Sequence, residues 1–224
     1  MDAAAPIFAP VAEQLANVRR WNDERGWSLL DWELEQVDLT EATHAAPLVV
    51  DVVAVELPAK GPLNGVQRTC AELWDLAAGR QPRSWCWDER RRAPKAVRLL
   101  DGVEHRPGVR RVTLDLAAHW DRRRGTRPID VRYGASAAAE ILAAAAHFPH
   151  WVRAMDGEGI PFVCLAGYQV TVPVYETWRH ILCLSWSHIN RRINLSDNWA
   201  DYYQDRFASP VRVGAPVRAT RPSG

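Results

Sequence analysis

The stretch "PLVVDVVAVELP" (residues 47–58) decides how the rest of the chain is read. It is almost wholly apolar and rich in β-branched valine, which packs well on a pleated surface. A strand with one wet face alternates polar and apolar residues, whereas here only Asp51 and Glu56 interrupt the run. The stretch therefore reads as a central strand, covered on both faces. "KGPLNG" follows, and then Val66, Cys70, Leu73 and Ala77 recur at helical spacing up to Gly79, so residues 47–79 make one βα unit.

A glycine-bearing loop between strand and helix can cradle a phosphate on its N–H groups. This one lacks both G-x-G-x-x-G and G-x-x-x-x-G-K-[ST], and Pro62 removes a donor, so it reads as a plain connection. Asp51, Glu56 and Lys60 invite comparison with metal-dependent nucleases, which place an acid on one strand and an E-x-K pair on the next. Here both acids share one strand and, five residues apart, point to opposite faces. The spacing argues against a nuclease.

Upstream, Val11, Leu15, Val18 and Trp21 form one apolar stripe of a helix from about Ile7 to Glu24, stopped by Gly26. Ser28 and Asp31 have the form of a capping box opening a second helix, giving a helical pair over 7–37 that Trp27 and Trp32 lock together. Downstream, "AVRLL", "VEH" and "VRRVTLDLAA" read as a β-meander over 96–117, with Asp101-Gly102 as a hairpin signal. In its last strand Arg111, Thr113 and Asp115 alternate with Val112, Leu114 and Leu116.

An alanine-rich helix is expected over 135–148, with Ser136 as N-cap and Pro149 as its stop, and "HWVRAM" extends it beyond a kink. "IPFVCLAGYQVTVPV" (160–174) is a strand interrupted at Gly167 by a bulge or a close approach. In "HILCLSWSH", His180, Leu182, Leu184, Trp186 and His188 share one face, and "RRINL" can pair back. A last helix is expected from Ser196 through Phe207, so strands and helix occupy 160–208, and 210–224 is a flexible tail. The fold class is α+β: a mixed, mainly antiparallel sheet with packed helices in a single compact domain over 1–209.

A chain of 224 residues buries roughly 70% of its unfolded surface and needs no disulfide or metal staple. Eleven tryptophans stand out, as does a basic complement of 26 arginines against two lysines. The four cysteines, Cys70, Cys86, Cys164 and Cys183, form no C-x-x-C pair. With no leader pattern and no apolar run of membrane-spanning length, a soluble, cytoplasmic protein with free thiols and no membrane partner is expected. Charge is uneven: residues 1–60 hold eleven acids and four bases (net −7), residues 61–133 sixteen bases and nine acids (net +7). The two segments either face each other, in the fold or in a homo-oligomer, or the basic one meets an anionic partner.

"WDERRRAPKAVRL" (87–99) is echoed by "WDRRRGTRPIDVRY" (120–133). If the two loops converge, Trp87, Arg90, Arg91 and Arg92 with Trp120, Arg122, Arg123 and Arg124 make an anion contact in which tryptophan stacks on bases. Cys86 lies between Trp85 and Trp87, whose desolvation opposes the effect of nearby arginines on its reactivity. His147 and His150 straddle Pro149 and lack a metal-ligand neighbour at the usual spacing, while His180 and His188 stand roughly 26 Å apart along a strand. No metal, cofactor or catalytic signature is read. The residues most like a site are Trp151, Asp156, Tyr168, Trp178, His180, Trp186 and His188, aromatics beside polar groups on neighbouring elements, as in a small-molecule pocket. The leading expectation is a small-molecule-binding domain, possible as an enzyme. The alternatives are an assembly module using the opposed charged segments with a protein partner, and a nucleic-acid surface at the arginine triplets.

Overall fold

The stripe Val11, Leu15, Val18 and Trp21 is buried along one face of the first helix of the computed structural model, which describes residues 8–86, 97–100, 103–120, 127–128, 137–170, 179–202 and 205–214. In chain order the first half holds α1 (Val11–Arg25), α2 (Asp31–Glu35), β1 (Val49–Glu56), α3 (Gly65–Gly79), β2 (Ser84–Cys86), β3 (Val97–Leu99) and β4 (Gly108–Asp115). The second half holds α4 (Ala139–His147), α5 (Pro149–Ala154), β5 (Phe162–Val170), β6 (His180–Ser187), β7 (Arg192–Trp199), β8 (Phe207–Ala208) and β9 (Val211–Arg212). The class is α+β in one compact domain, with antiparallel pairing throughout except β2 on β7 and β8 on β5.

Gly26 ends α1 in the left-handed region at φ 59°, and Trp27 turns back with its ring edge-on to Trp21 at 6.3 Å. The expected Ser28–Asp31 box does not form. Ser28 takes φ 64°, Leu30 is the N-cap of α2, and its N–H donates to the Glu33 carboxylate at 2.8 Å. Trp32 is 54% exposed and locks nothing.

β1 is buried as expected, but among the described strands it lies at the edge of its sheet. It pairs antiparallel with β4 from Val49 opposite Asp115 to Glu56 opposite Gly108, and β9 takes the other edge of β4. Among the described residues the second edge of β1 meets no strand and is met by side chains. Gln14 donates to Asp51 O at 3.0 Å and accepts from Val53 N at 2.9 Å. His147 donates through Nε2 to Val53 O at 3.0 Å, Thr69 Oγ1 accepts from Leu57 N at 2.7 Å, and His105 Nε2 donates to Leu57 O at 3.0 Å. A buried edge without such partners would leave costly unpaired backbone groups. Periodicity along β1 reports burial and is silent on which neighbour meets each edge.

Residues 96–117 do not form a meander. β3 pairs with β5 and β4 with β1, in different sheets ordered β1-β4-β9 and β2-β7-β6-β5-β3. "RRINL" does return along β6, but the pairing continues to Trp199 opposite His180, so Ser196 lies in a strand where a helix cap was expected. The expected tail from 210 begins with β9, held on β4, so the sheet extends past residue 209. Asp101, Gly102 and Ser136 lie outside the described residues.

α4 is buried over its whole length, since Ala143 to Ala146 let α3 and β1 approach closely. Phe148 breaks it and Pro149 opens α5. At Gly167 the β5–β6 register shifts between Leu165 and Gln169, and Gly167 N donates to Ala137 O at 3.2 Å. A Cβ there would lie 2.8 Å from Ala138 Cβ, so the expected bulge and close approach occur together. One continuous core joins α1, α3, α4 and an inner face of each sheet; Cys164, Ile181, Cys183 and Ala200 form a second, small cluster. Among the described residues no helix is long and apolar enough to cross a membrane.

Candidate functional site

Burial separates the expected pocket residues. Trp151, Tyr168 and Trp186 are 1%, 1% and 6% exposed and belong to the main core. Asp156 is committed to its own turn, its Oδ1 accepting from the N–H groups of Glu158, Gly159 and Ile160 at 2.8, 2.7 and 2.9 Å. Burial opposes its ionisation, but these donors outweigh it and hold the carboxyl below its ordinary range. His188 donates to Met155 O at 2.9 Å and meets Trp186 edge-on at 6.5 Å. Asp156, Trp186 and His188 therefore gather near the end of α5, while His180 stands at the opposite end of β6. Trp178 lies outside the described residues.

His180 has a different setting. The β6–β7 register places it opposite Trp199, with Asp197, the partner of Leu182, two residues along β7 on the same face. Its Nδ1 lies 2.8 Å from Asp197 Oδ2, and the Asp197 side chain is 2% exposed. The Trp199 ring covers the imidazole at 4.2 Å between centroids. An ionised carboxylate only accepts, so Nδ1 carries the shared proton and, in the neutral ring, Nε2 is left with its lone pair. Among the described residues Nε2 is buried without a hydrogen-bond partner, in a residue 7% exposed. Neither Asp197 nor Trp199 stood out in the sequence, because their role depends on the register of β7, which was expected to turn helical there.

The largest charged network was also missed. Glu56 and Glu140 are buried and share Arg110, with Arg110 Nη2 3.1 Å from Glu140 Oε1 and in direct contact with Glu56 Oε1. Arg212 on β9 reaches Glu140 Oε1 at 2.7 Å, and Glu140 Oε2 accepts from Ala138 N at 2.9 Å. His105 faces Glu56 Oε2 through Nδ1 at 2.9 Å and Leu57 O through Nε2 at 3.0 Å. Both partners are acceptors, an arrangement that favours the doubly protonated ring. The hydrogen bond to Glu56 accordingly raises the His105 pKa. Burial works against Glu56 ionising, yet His105 and Arg110 overcome it and keep that carboxyl below its usual range.

Asp51, on the opposite face of β1, is held by Arg111 at 2.6 Å, Thr113 Oγ1 at 2.6 Å and His44 Nε2 at 3.1 Å. The acidic first segment and the basic second one thus meet inside one molecule, across the β1–β4 ladder. Beside Asp51 a cavity of about 290 Å³ is lined by Phe8, Val11, Gln14, Glu41 and His44 among others. Its polar groups are spent on the protein: Glu41 accepts from Val11 N, and Gln14 holds the β1 edge. The "KGPLNG" loop is likewise self-contained, with Asn64 and Gln67 capping each other at the start of α3. His105 crowds Gly65 so closely that a Cβ there would lie 2.2 Å from its Nε2.

Comparison with known proteins finds no matching family model, no matching curated protein and no matching solved structure.

Among the described residues, no group of three or more His, Cys, Asp or Glu side chains is placed to hold a metal ion. Of the anion-contact residues, Trp120 is described: it is half-buried against the core and donates from Nε1 to Asp205 O at 3.2 Å. Trp87, Arg90, Arg91, Arg92, Arg122, Arg123 and Arg124 lie outside the described residues. Cys86 is half-buried against the core, and the neighbouring Trp85 ring carries Arg192 at 5.3 Å. Among the described residues His147 Nδ1 and His180 Nε2 are both buried ring nitrogens without a hydrogen-bond partner; His180 is the one whose other nitrogen meets a carboxylate and whose ring an indole covers.

Proposed function

We propose that this protein binds a small molecule on its C-terminal sheet, with His180 as the central polar contact. The observation that carries the reading is the buried, unpartnered His180 Nε2, because a buried polar atom left alone costs about 1–3 kcal/mol and a ligand donor would recover it. Asp197 fixes the ring and its tautomer, and Trp199 supplies an aromatic wall. The ligand class that fits presents a hydroxyl or amine N–H beside a flat apolar body. If the bound donor is acidic enough, the same geometry lets His180 remove its proton as a general base, with Asp197 stabilising the imidazolium.

The test is a thermal-shift screen of small hydroxyl- and amine-bearing aromatics, followed by ¹⁵N NMR of the histidine rings. A true ligand shifts the His180 Nε2 resonance, and its stabilising effect disappears in His180→Gln and weakens in Asp197→Asn. Hits that stabilise both variants as much as the parent, with His180 Nε2 unmoved, would place the binding site elsewhere and refute the reading.

A further inference from the structure

Two of the four cysteines, separated by nineteen positions, face each other across β5 and β6: Cys164 is the register partner of Cys183, and their Sγ atoms lie 3.5 Å apart. Directly opposed residues of an antiparallel pair have Cα atoms about 4.5–5.5 Å apart, inside the span of about 4.4–6.8 Å that a disulfide bridges. Closing the bond needs the sulfurs to rotate together and no change of register. The pair is kept apart from the main core, in the small cluster with Ile181 and Ala200 that Phe207 packs against. It also lies on the face of β6 opposite His180, since the two positions differ by an odd number of residues.

We propose that Cys164 and Cys183 are a reversible oxidation site, joined as a cross-strand disulfide by a two-electron oxidant such as hydrogen peroxide or a small disulfide. With peroxide, one sulfur attacks an oxygen, the O–O bond breaks, and a sulfenic acid and one water form. The second sulfur then attacks the sulfenic sulfur, the S–S bond forms, and the hydroxyl leaves as a second water. Two thiol protons and two electrons pass to the oxidant. With a small disulfide, one thiol forms a mixed disulfide and releases a small thiol; the second displaces the other small thiol. The hydrogen bond with Cys164 and burial both hold Cys183 as the thiol, so the folded protein reacts slowly, and small neutral oxidants enter best.

The experiment uses the full chain carrying Cys70→Ser and Cys86→Ser, so that only the pair can react. One sample is equilibrated folded with oxidised glutathione or peroxide; another is reduced, unfolded and refolded in the same glutathione buffer, which removes the barrier of burial. Both are acid-quenched, alkylated under denaturing conditions, weighed and digested. A dithiothreitol-sensitive link between the Cys164 and Cys183 peptides in either sample, with both sites protected from alkylation and the mass lower by two hydrogens before alkylation, supports the site. Adding Cys164→Ser must abolish the link and leave Cys183 fully alkylated. Full alkylation of both thiols in both samples, or only intermolecular links, would overturn the proposal.

Discussion

Gln14 stands beside Val53 as a neighbouring strand would, its Oε1 accepting the Val53 N–H at 2.9 Å while its Nε2 donates to Asp51 O at 3.0 Å. One carboxamide from α1 reproduces a rung of sheet on an edge that no described strand covers.

Replacing it tests that description. Gln14→Leu keeps the bulk and strands two buried backbone groups, each worth about 1–3 kcal/mol, so a loss of about 2–6 kcal/mol is expected. Urea unfolding should show a lower midpoint with an unchanged slope. Gln14→Glu should also destabilise, since a carboxylate cannot donate to Asp51 O.

Glu140 has no exposed side-chain surface and accepts from Arg110, Arg212 and Ala138 N. Glu140→Gln preserves shape and removes the charge, leaving two arginines facing an amide; removing one partner of a buried pair costs about 3–5 kcal/mol. Because Arg212 belongs to β9, hydrogen exchange at the Val213 N–H, which donates to Thr113 O at 2.9 Å, should accelerate more than exchange in β6.

These two cases show what the sequence could and could not disclose. The apolar run around β1, the α1 stripe, the α3 helix and the Gly167 interruption follow from local patterns of burial and were legible. The edge partners of β1, the Glu56–Glu140 network and the His180–Asp197 pair join residues distant along the chain, and no local period encodes them. The end of β7 was misread for a related reason. "SDNWADYY" has good capping chemistry for a helix, yet its first residues pair with β6, and tertiary pairing overrides a local preference. Of the pocket residues chosen for their aromatic character, Trp151, Tyr168 and Trp186 went to the core because that is where large apolar rings gain most.

Gly167 offers a steric check. Its added Cβ would sit 2.8 Å from Ala138 Cβ and 2.9 Å from Ala137 O, against backbone that cannot swing aside. Gly167→Ala should cost about 1–3 kcal/mol by overpacking. The double variant with Ala138→Gly should regain part of this in a thermal melt, whereas a purely conformational role for the glycine would give no such rescue.

His147 predicts how stability depends on acid. Burial, aided by the positive charge of Arg80, depresses its pKa to about 3 against the opposing bond to Val53 O, while the unfolded ring keeps its ordinary value of 6.5. Between those values the unfolded chain takes up a proton that the folded one refuses, so this residue's contribution is complete above about pH 6.5 and falls as pH drops. From pH 7 to pH 5 the expected loss is about 2 kcal/mol, at about 1.4 kcal/mol per pH interval below 6.5. His147→Gln, which keeps a donor for Val53 O and cannot ionise, should flatten that part of the urea-midpoint curve.

The side-chain seal along β1 also has a kinetic meaning. A valine-rich strand whose outer edge is covered only by docked helices and single side chains is safe while they stay docked. If α1 lifts away, Asp51 O and Val53 N lose Gln14 and that part of a β-branched edge is bared to other copies of the chain, the kind of template from which cross-β assemblies grow. The hazard is then set by how often one helix opens and not by how often the whole domain unfolds. Gln14 thus helps set how often that part of the edge is exposed.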